Sequence, residues 1–121
     1  MSEFNEDKQK FSTEKIFFAF DRSDLTDQSK AVLKTKADFL TKYSFFKVRV
    51  EGHCDDRGTN DYNLALGERR ADAAKKYMMA MGIPEYRILT ISYGEERPAV
   101  AGANEAAWSQ NRRDEFVALE K

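Results

Sequence analysis

One cysteine, Cys54, among 121 residues means that the chain can close no intrachain disulfide, and cysteine usage says nothing about its redox compartment. No run of about 18 apolar residues occurs, so no segment is expected to cross a bilayer as a helix. The first residues hold neither a basic stretch nor an apolar h-region, so they do not read as an export signal; a processed chain would look the same. Charge of one sign is also missing. Against 20 basic residues stand 21 acidic ones, a formal net charge of −1, and no summed positive field exists to gather nucleic acid or anionic lipid.

Core material is present. Hydrophobic residues make up 41% and aromatic residues 12%, with 34% charged, which is the composition of a folded domain and not of a disordered one. The length suits one domain. Residues 1–14 are polar apart from Phe4 and Phe11 and show no apolar period, which predicts a flexible tether with the domain proper over 15–121.

Ile16-Phe-Phe-Ala-Phe20 is a short apolar run that predicts a strand buried on both faces. From Thr26, an N-cap residue followed by Asp27, the residues Val32, Leu33, Ala37, Phe39, Leu40 and Tyr43 recur at helical spacing, predicting a helix over about 26–43. Lys47 to His53 alternates, with Val48, Val50 and Gly52 on one side and Lys47, Arg49, Glu51 and His53 on the other: a half-buried strand. Gly58 and its acidic neighbours mark a loop before a second helix that runs to Met81, where Gly82-Ile83-Pro84 stops it. Ile88–Tyr93 and Glu115–Leu119 read as strands separated by a long loop with at most a short helix. The order βαβαββ predicts an α/β (α+β) two-layer sandwich, a mixed four-stranded sheet with two main helices on one face.

One residue breaks the pattern. On a helical wheel Tyr62, Leu66, Ala73, Ala74, Tyr77 and Met81 share an arc, and Arg70 lies inside it. A guanidinium cannot shed its proton to escape a low-dielectric site, so an inward Arg is expected to meet an acid or an anionic ligand. Asp55 is the nearest candidate, delivered by the strand ending at His53 to the sheet edge where the helix begins. A plain buried salt bridge between Asp55 and Arg70 is the competing reading. Lys36 also falls in the apolar arc of its helix, and its stem is expected to run over the core with the ammonium in water.

The segment Val50-Glu-Gly-His-Cys-Asp-Asp-Arg-Gly-Thr59, with Tyr62-Asn63 and Leu66-Gly-Glu-Arg-Arg-Ala71, resembles the OmpA-like peptidoglycan-binding family, in particular its peptidoglycan-associated lipoprotein branch. Ile16-Phe-Phe-Ala-Phe-Asp21, Ser92-Tyr-Gly-Glu-Glu-Arg-Pro98 and Glu105-Ala-Ala-Trp-Ser-Gln-Asn-Arg-Arg113 agree with it in order. The resemblance implies non-covalent binding of the peptidoglycan stem peptide through meso-diaminopimelate, with Asp55 and Arg70 as ligands and backbone near Asp21 in contact. Arg70 would take the ligand carboxylate and Asp55 its ammonium. Asn63 and Asn111 are expected to act as scaffold, with Arg69 and Arg112 as possible supporting residues. The resemblance further implies a periplasmic, outer-membrane-associated setting and a β-propeller partner of the TolB kind, with no cofactor. The chain departs from the family at Cys54, where a small residue is usual, and at Trp108, where Tyr is usual; it also lacks a lipid-modifiable N-terminal Cys.

His53-Cys54-Asp55 has the residue types of a nucleophile site, but neighbours on an extended chain point to opposite sides and no second His exists, so an enzyme is not expected. The same residues lack the paired ligand spacing of a zinc centre, and no metal site is expected.

Overall fold

The computed structural model describes residues 3–120. Its elements are α1 (Glu3–Thr13), β1 (Ile16–Phe17), α2 (Asp27–Lys42), β2 (Phe46–His53), α3 (Asn60–Ala80), a 3-10 turn (Glu85–Arg87), β3 (Ile88–Gly94), α4 (Glu105–Asn111) and β4 (Arg113–Glu120). The sheet is four-stranded and mixed, in the order β1-β4-β2-β3, with β2 and β3 parallel and β4 antiparallel to both of its neighbours. Val48, Val50 and Phe116 point from the sheet into one core shared with Leu33 and Leu40 of α2 and with Ala71, Ala74 and Met78 of α3. This is the two-layer sandwich the element order predicts.

The local signals explain the helix ends. Thr26 accepts a hydrogen bond from the Ser29 amide at 3.0 Å, and Thr59 does the same for Tyr62 at 3.1 Å, so both α2 and α3 start on a side-chain cap. At the far end of α3, Gly82 takes φ 101° while the Ile83 amide reaches the Met78 carbonyl at 3.1 Å, the left-handed stop its sequence predicts.

Residues 3–13 correct the predicted tether. They form α1, which packs against β4 and α2. Its inward face is Phe4, Asp7, Lys8 and Phe11, an i, i+3, i+4, i+7 set in which only the ends are apolar, so hydrophobic periodicity alone does not reveal it. Phe4 stacks on Phe46 and Phe11 on Phe39, while Asp7 accepts from the Tyr43 hydroxyl at 2.8 Å. Lys36 is corrected by the same fact. The helix roofs the route by which its ammonium would reach water, and Nζ donates instead to the Phe11 carbonyl at 2.6 Å, between the rings of Phe11 and Phe116. Burial pushes its pKa down to about 7.

The opening strand is shorter than predicted and one-sided: only Ile16 and Phe17 pair with β4, and Phe17 and Phe20 are exposed. A two-layer sheet leaves one face uncovered, so the run alternates instead of being buried on both faces. In α3 the buried residues include Ala71 and Met78, whereas Tyr62 and Met81 from the predicted arc are exposed. The helix is rolled because it touches β2 through two glycines. A Cβ on Gly52 would sit 1.8 Å from the Gly67 carbonyl oxygen, an approach only glycine permits.

Candidate ligand-binding site

The glycine contact lays α3 close over the C-terminal end of β2, and there the chain forms a cleft of about 190 Å³. Asp21, Asp55, Asn63 and Arg70 all line it, together with Arg57 and Tyr62. The cleft is at the position where open α/β sheets collect ligands, beyond the carboxyl end of a strand.

Arg70 is 1% exposed, and it is not paired with Asp55. Its guanidinium donates to three backbone carbonyls: Nε to Arg22 at 2.8 Å, Nη1 to His53 at 2.9 Å and Nη2 to Ala19 at 3.2 Å. The expected acid is replaced by neutral acceptors because the loop after β1 and the end of β2 both turn their carbonyls toward the α3 face. These bonds fix the group without neutralising it, and Nη1 and Nη2 each retain a second N–H beyond them. Burial lowers the Arg70 pKa from its ordinary value, opposed by the Cys54 thiol and then by Asp114 and Asp55.

Asp55, 4% exposed, is held from its own loop. Oδ1 accepts from the Arg57 amide at 3.0 Å and Oδ2 from the Arg57 guanidinium at 2.9 Å, and Arg112 lies 3.6 Å away. The loop containing Arg57 is itself clamped: its guanidinium lies 3.8 Å from the Phe20 ring centre and 4.0 Å from that of Trp108, whose indole N–H donates to Asp56 at 2.8 Å. Sequence reasoning passes over Arg57. Its only signal is an Asp two residues earlier, the spacing of an Asx turn.

Asp21 stands at the rim with φ 57°, a left-handed conformation that Asp tolerates better than most residues, and its carboxylate accepts from the Tyr62 hydroxyl. Asn63 donates to the carbonyls of Asp55 and Arg57 and to Glu95, and Asn111 ties its amide to Ala99 and Val100, as scaffold residues do. Arg112 is turned to the Phe18 carbonyl and Glu105, behind Asp55. Arg69 is not part of the cleft; it lines a separate depression with Glu68, Asp72 and Thr90. Cys54 donates to the Asn63 carbonyl, and burial pushes its thiol up to about 11, so it is a poor nucleophile.

A buried guanidinium and two separately held carboxylates thus share one small cleft on a two-layer sheet. Residues 17–112 match the OmpA family, and the chain belongs to it. It is 46% identical over 106 residues to a peptidoglycan-associated lipoprotein of Haemophilus influenzae, covering 88% of this chain and 68% of that protein. A Rhizobium meliloti protein of the same name is 44% identical over 100 residues, covering 83% of this chain and 57% of its own length. The crystal structure of the peptidoglycan-associated lipoprotein from Burkholderia pseudomallei superposes with a TM-score of 0.86 at 34% identity, covering 90% of this chain and 92% of that one. The C-terminal domain of Helicobacter pylori MotB, at 17% identity and TM-score 0.81, shares the fold.

Proposed function

We propose that the domain binds peptidoglycan non-covalently by gripping the zwitterionic end of meso-diaminopimelate in the stem peptide. The observation that carries this reading is the un-neutralised Arg70 guanidinium in one cleft with the carboxylates of Asp55 and Asp21. Diaminopimelate ends in an ammonium and a carboxylate on one carbon. The spare N–H groups of Arg70 donate to the ligand carboxylate, and Asp55, which keeps lone pairs beyond those used by Arg57, accepts from its ammonium. Asp21 guards the rim. The names of the relatives support the polymer class, and the same reading puts the domain in the periplasm, tied to the outer membrane in the full-length protein.

The test is sedimentation with purified cell-wall sacculi. Wild type is expected in the pellet, and Asp55→Asn and Arg70→Ala in the supernatant, with circular dichroism confirming that each variant is folded. Because Arg70 ties three segments together, Asp55→Asn is the cleaner probe. If both folded variants sediment like wild type, the Asp55/Arg70 pair is structural only, and a protein partner of the TolB kind becomes the better account of the domain.

A further inference from the structure

We infer that the open face of the sheet carries a second site, a divalent transition-metal site made by Glu51, His53 and Glu115, with zinc as its preferred ion. Strand alternation puts Glu51 and His53 on the face of β2 turned away from the helices, and the antiparallel register of β4 sets Glu115 directly opposite Glu51. One ligand atom from each of the three residues lies within 4.8 Å of the others. An ideal tetrahedral zinc site separates its donors by roughly 3.4 Å, and Glu115, the most exposed of the three, can close the difference by rotating.

His53 makes this more than a pair of acids. It is 2% exposed, and neither ring nitrogen has a hydrogen-bond partner among the described residues, although both are buried. A buried polar ring normally finds a partner, because leaving one without costs about 1–3 kcal/mol. The ring lies 5.4 Å from that of Tyr93, a contact that fixes its plane but satisfies no nitrogen.

The carboxylates are already oriented. Arg49 holds Oε2 of Glu51 at 2.9 Å, and Arg113 holds Oε2 of Glu115 at 2.5 Å, which leaves Oε1 of each outside the ion pair. Such outer partners aim a ligating carboxylate. The imidazole in the set favours an ion that binds nitrogen over calcium or magnesium, and the positive charge of Lys15, 3.7 Å from Glu115, keeps the affinity moderate. The diaminopimelate cleft uses the His53 carbonyl and not its ring, so the two sites stand or fall separately.

Titration calorimetry of the metal-stripped chain with zinc chloride is expected to show one ion bound per chain. Glu115→Gln, at a half-exposed position, is expected to weaken binding by about tenfold or more, while Cys54→Ser leaves it unchanged. Because His53 is the only histidine, its ring nitrogen signals can be followed by NMR without ambiguity, and zinc is expected to shift them in the wild-type protein. Absence of saturable binding overturns the inference. So does binding that survives Glu115→Gln, that is lost in Cys54→Ser, or that leaves the His53 ring signals unmoved.

Discussion

Lys36 and Asp114 are buried ionisable residues that the fold holds away from their preferred charge state. Lys36 has its pKa pushed down to about 7 by burial, against 10.5 for a free lysine. Between those values the unfolded chain binds more protons than the folded one, so the Lys36 contribution raises stability as pH climbs from about 7 towards 10.5, and the penalty is full below 7. Lys36→Met is therefore expected to gain on the order of 2 kcal/mol over wild type at pH 6, less whatever the unpaired Phe11 carbonyl costs. Urea melts at pH 6 and pH 9.5 check this; the gain should shrink at the higher value. Asp114 is fully buried on the helix face of β4, with neither oxygen partnered among the described residues, and burial raises its pKa well above the ordinary carboxylate value. Here the folded state holds the extra proton, so stability falls as pH rises through the normal Asp range and up to the raised pKa. Asp114→Val is expected to stabilise the protein at pH 7, with little gain at pH 3, as thermal melts at the two values would show.

At the scale of elements, the strongest constraint is the glycine pair that joins α3 to β2. Gly52→Ala would drive a methyl group into the Gly67 backbone, and Gly67→Ala would place one 2.2 Å from the Ser92 hydroxyl and 3.0 Å from the Gly52 carbonyl oxygen. Gly52→Ala is expected to lose about 1–3 kcal/mol or more, read by chemical denaturation, and to weaken sacculus binding because Arg70 moves with its helix. Most elements are legible from local chemistry: Thr26 and Gly82 bracket their helices, and alternation through Val48 and Val50 places β2. What is hidden comes from contacts between elements. Phe4 and Phe11 look isolated until the rings that receive them, Phe46 of β2 and Phe39 of α2, are in place, and Lys36 reaches no water because α1 covers it. The roll of α3 is likewise invisible on a wheel, because Gly52 and Gly67 carry no side chain to signal it.

For the whole molecule, the fold order and the cleft are readable from the chain, and the pairing within the cleft is not. Asp21, Asp55 and Arg70 do converge, but the partners of Arg70 are carbonyls from two other segments, and backbone acceptors leave no trace in residue identity. The cluster of Glu51, His53 and Glu115 is hidden for a related reason: its third member arrives by strand register from the far end of the sequence. The proposed function sets a selectivity. A stem peptide with lysine in place of diaminopimelate keeps the ammonium but offers Arg70 no carboxylate, and calorimetry is expected to find it weaker by about 1–3 kcal/mol or more. Equal affinity for the two peptides would contradict the assignment of Arg70.

The cleft lies past the His53 end of β2, whereas Phe4, near the start of α1, is stacked on Phe46 at the other end of that strand. On the proposed function, tension between the N-terminal side of the domain and a bound stem peptide would run along the strands. The antiparallel ladder bonds between β2 and β4 stand crosswise to that axis. They would be sheared together and not unzipped one after another, so the sheet opposes the pull with its whole length.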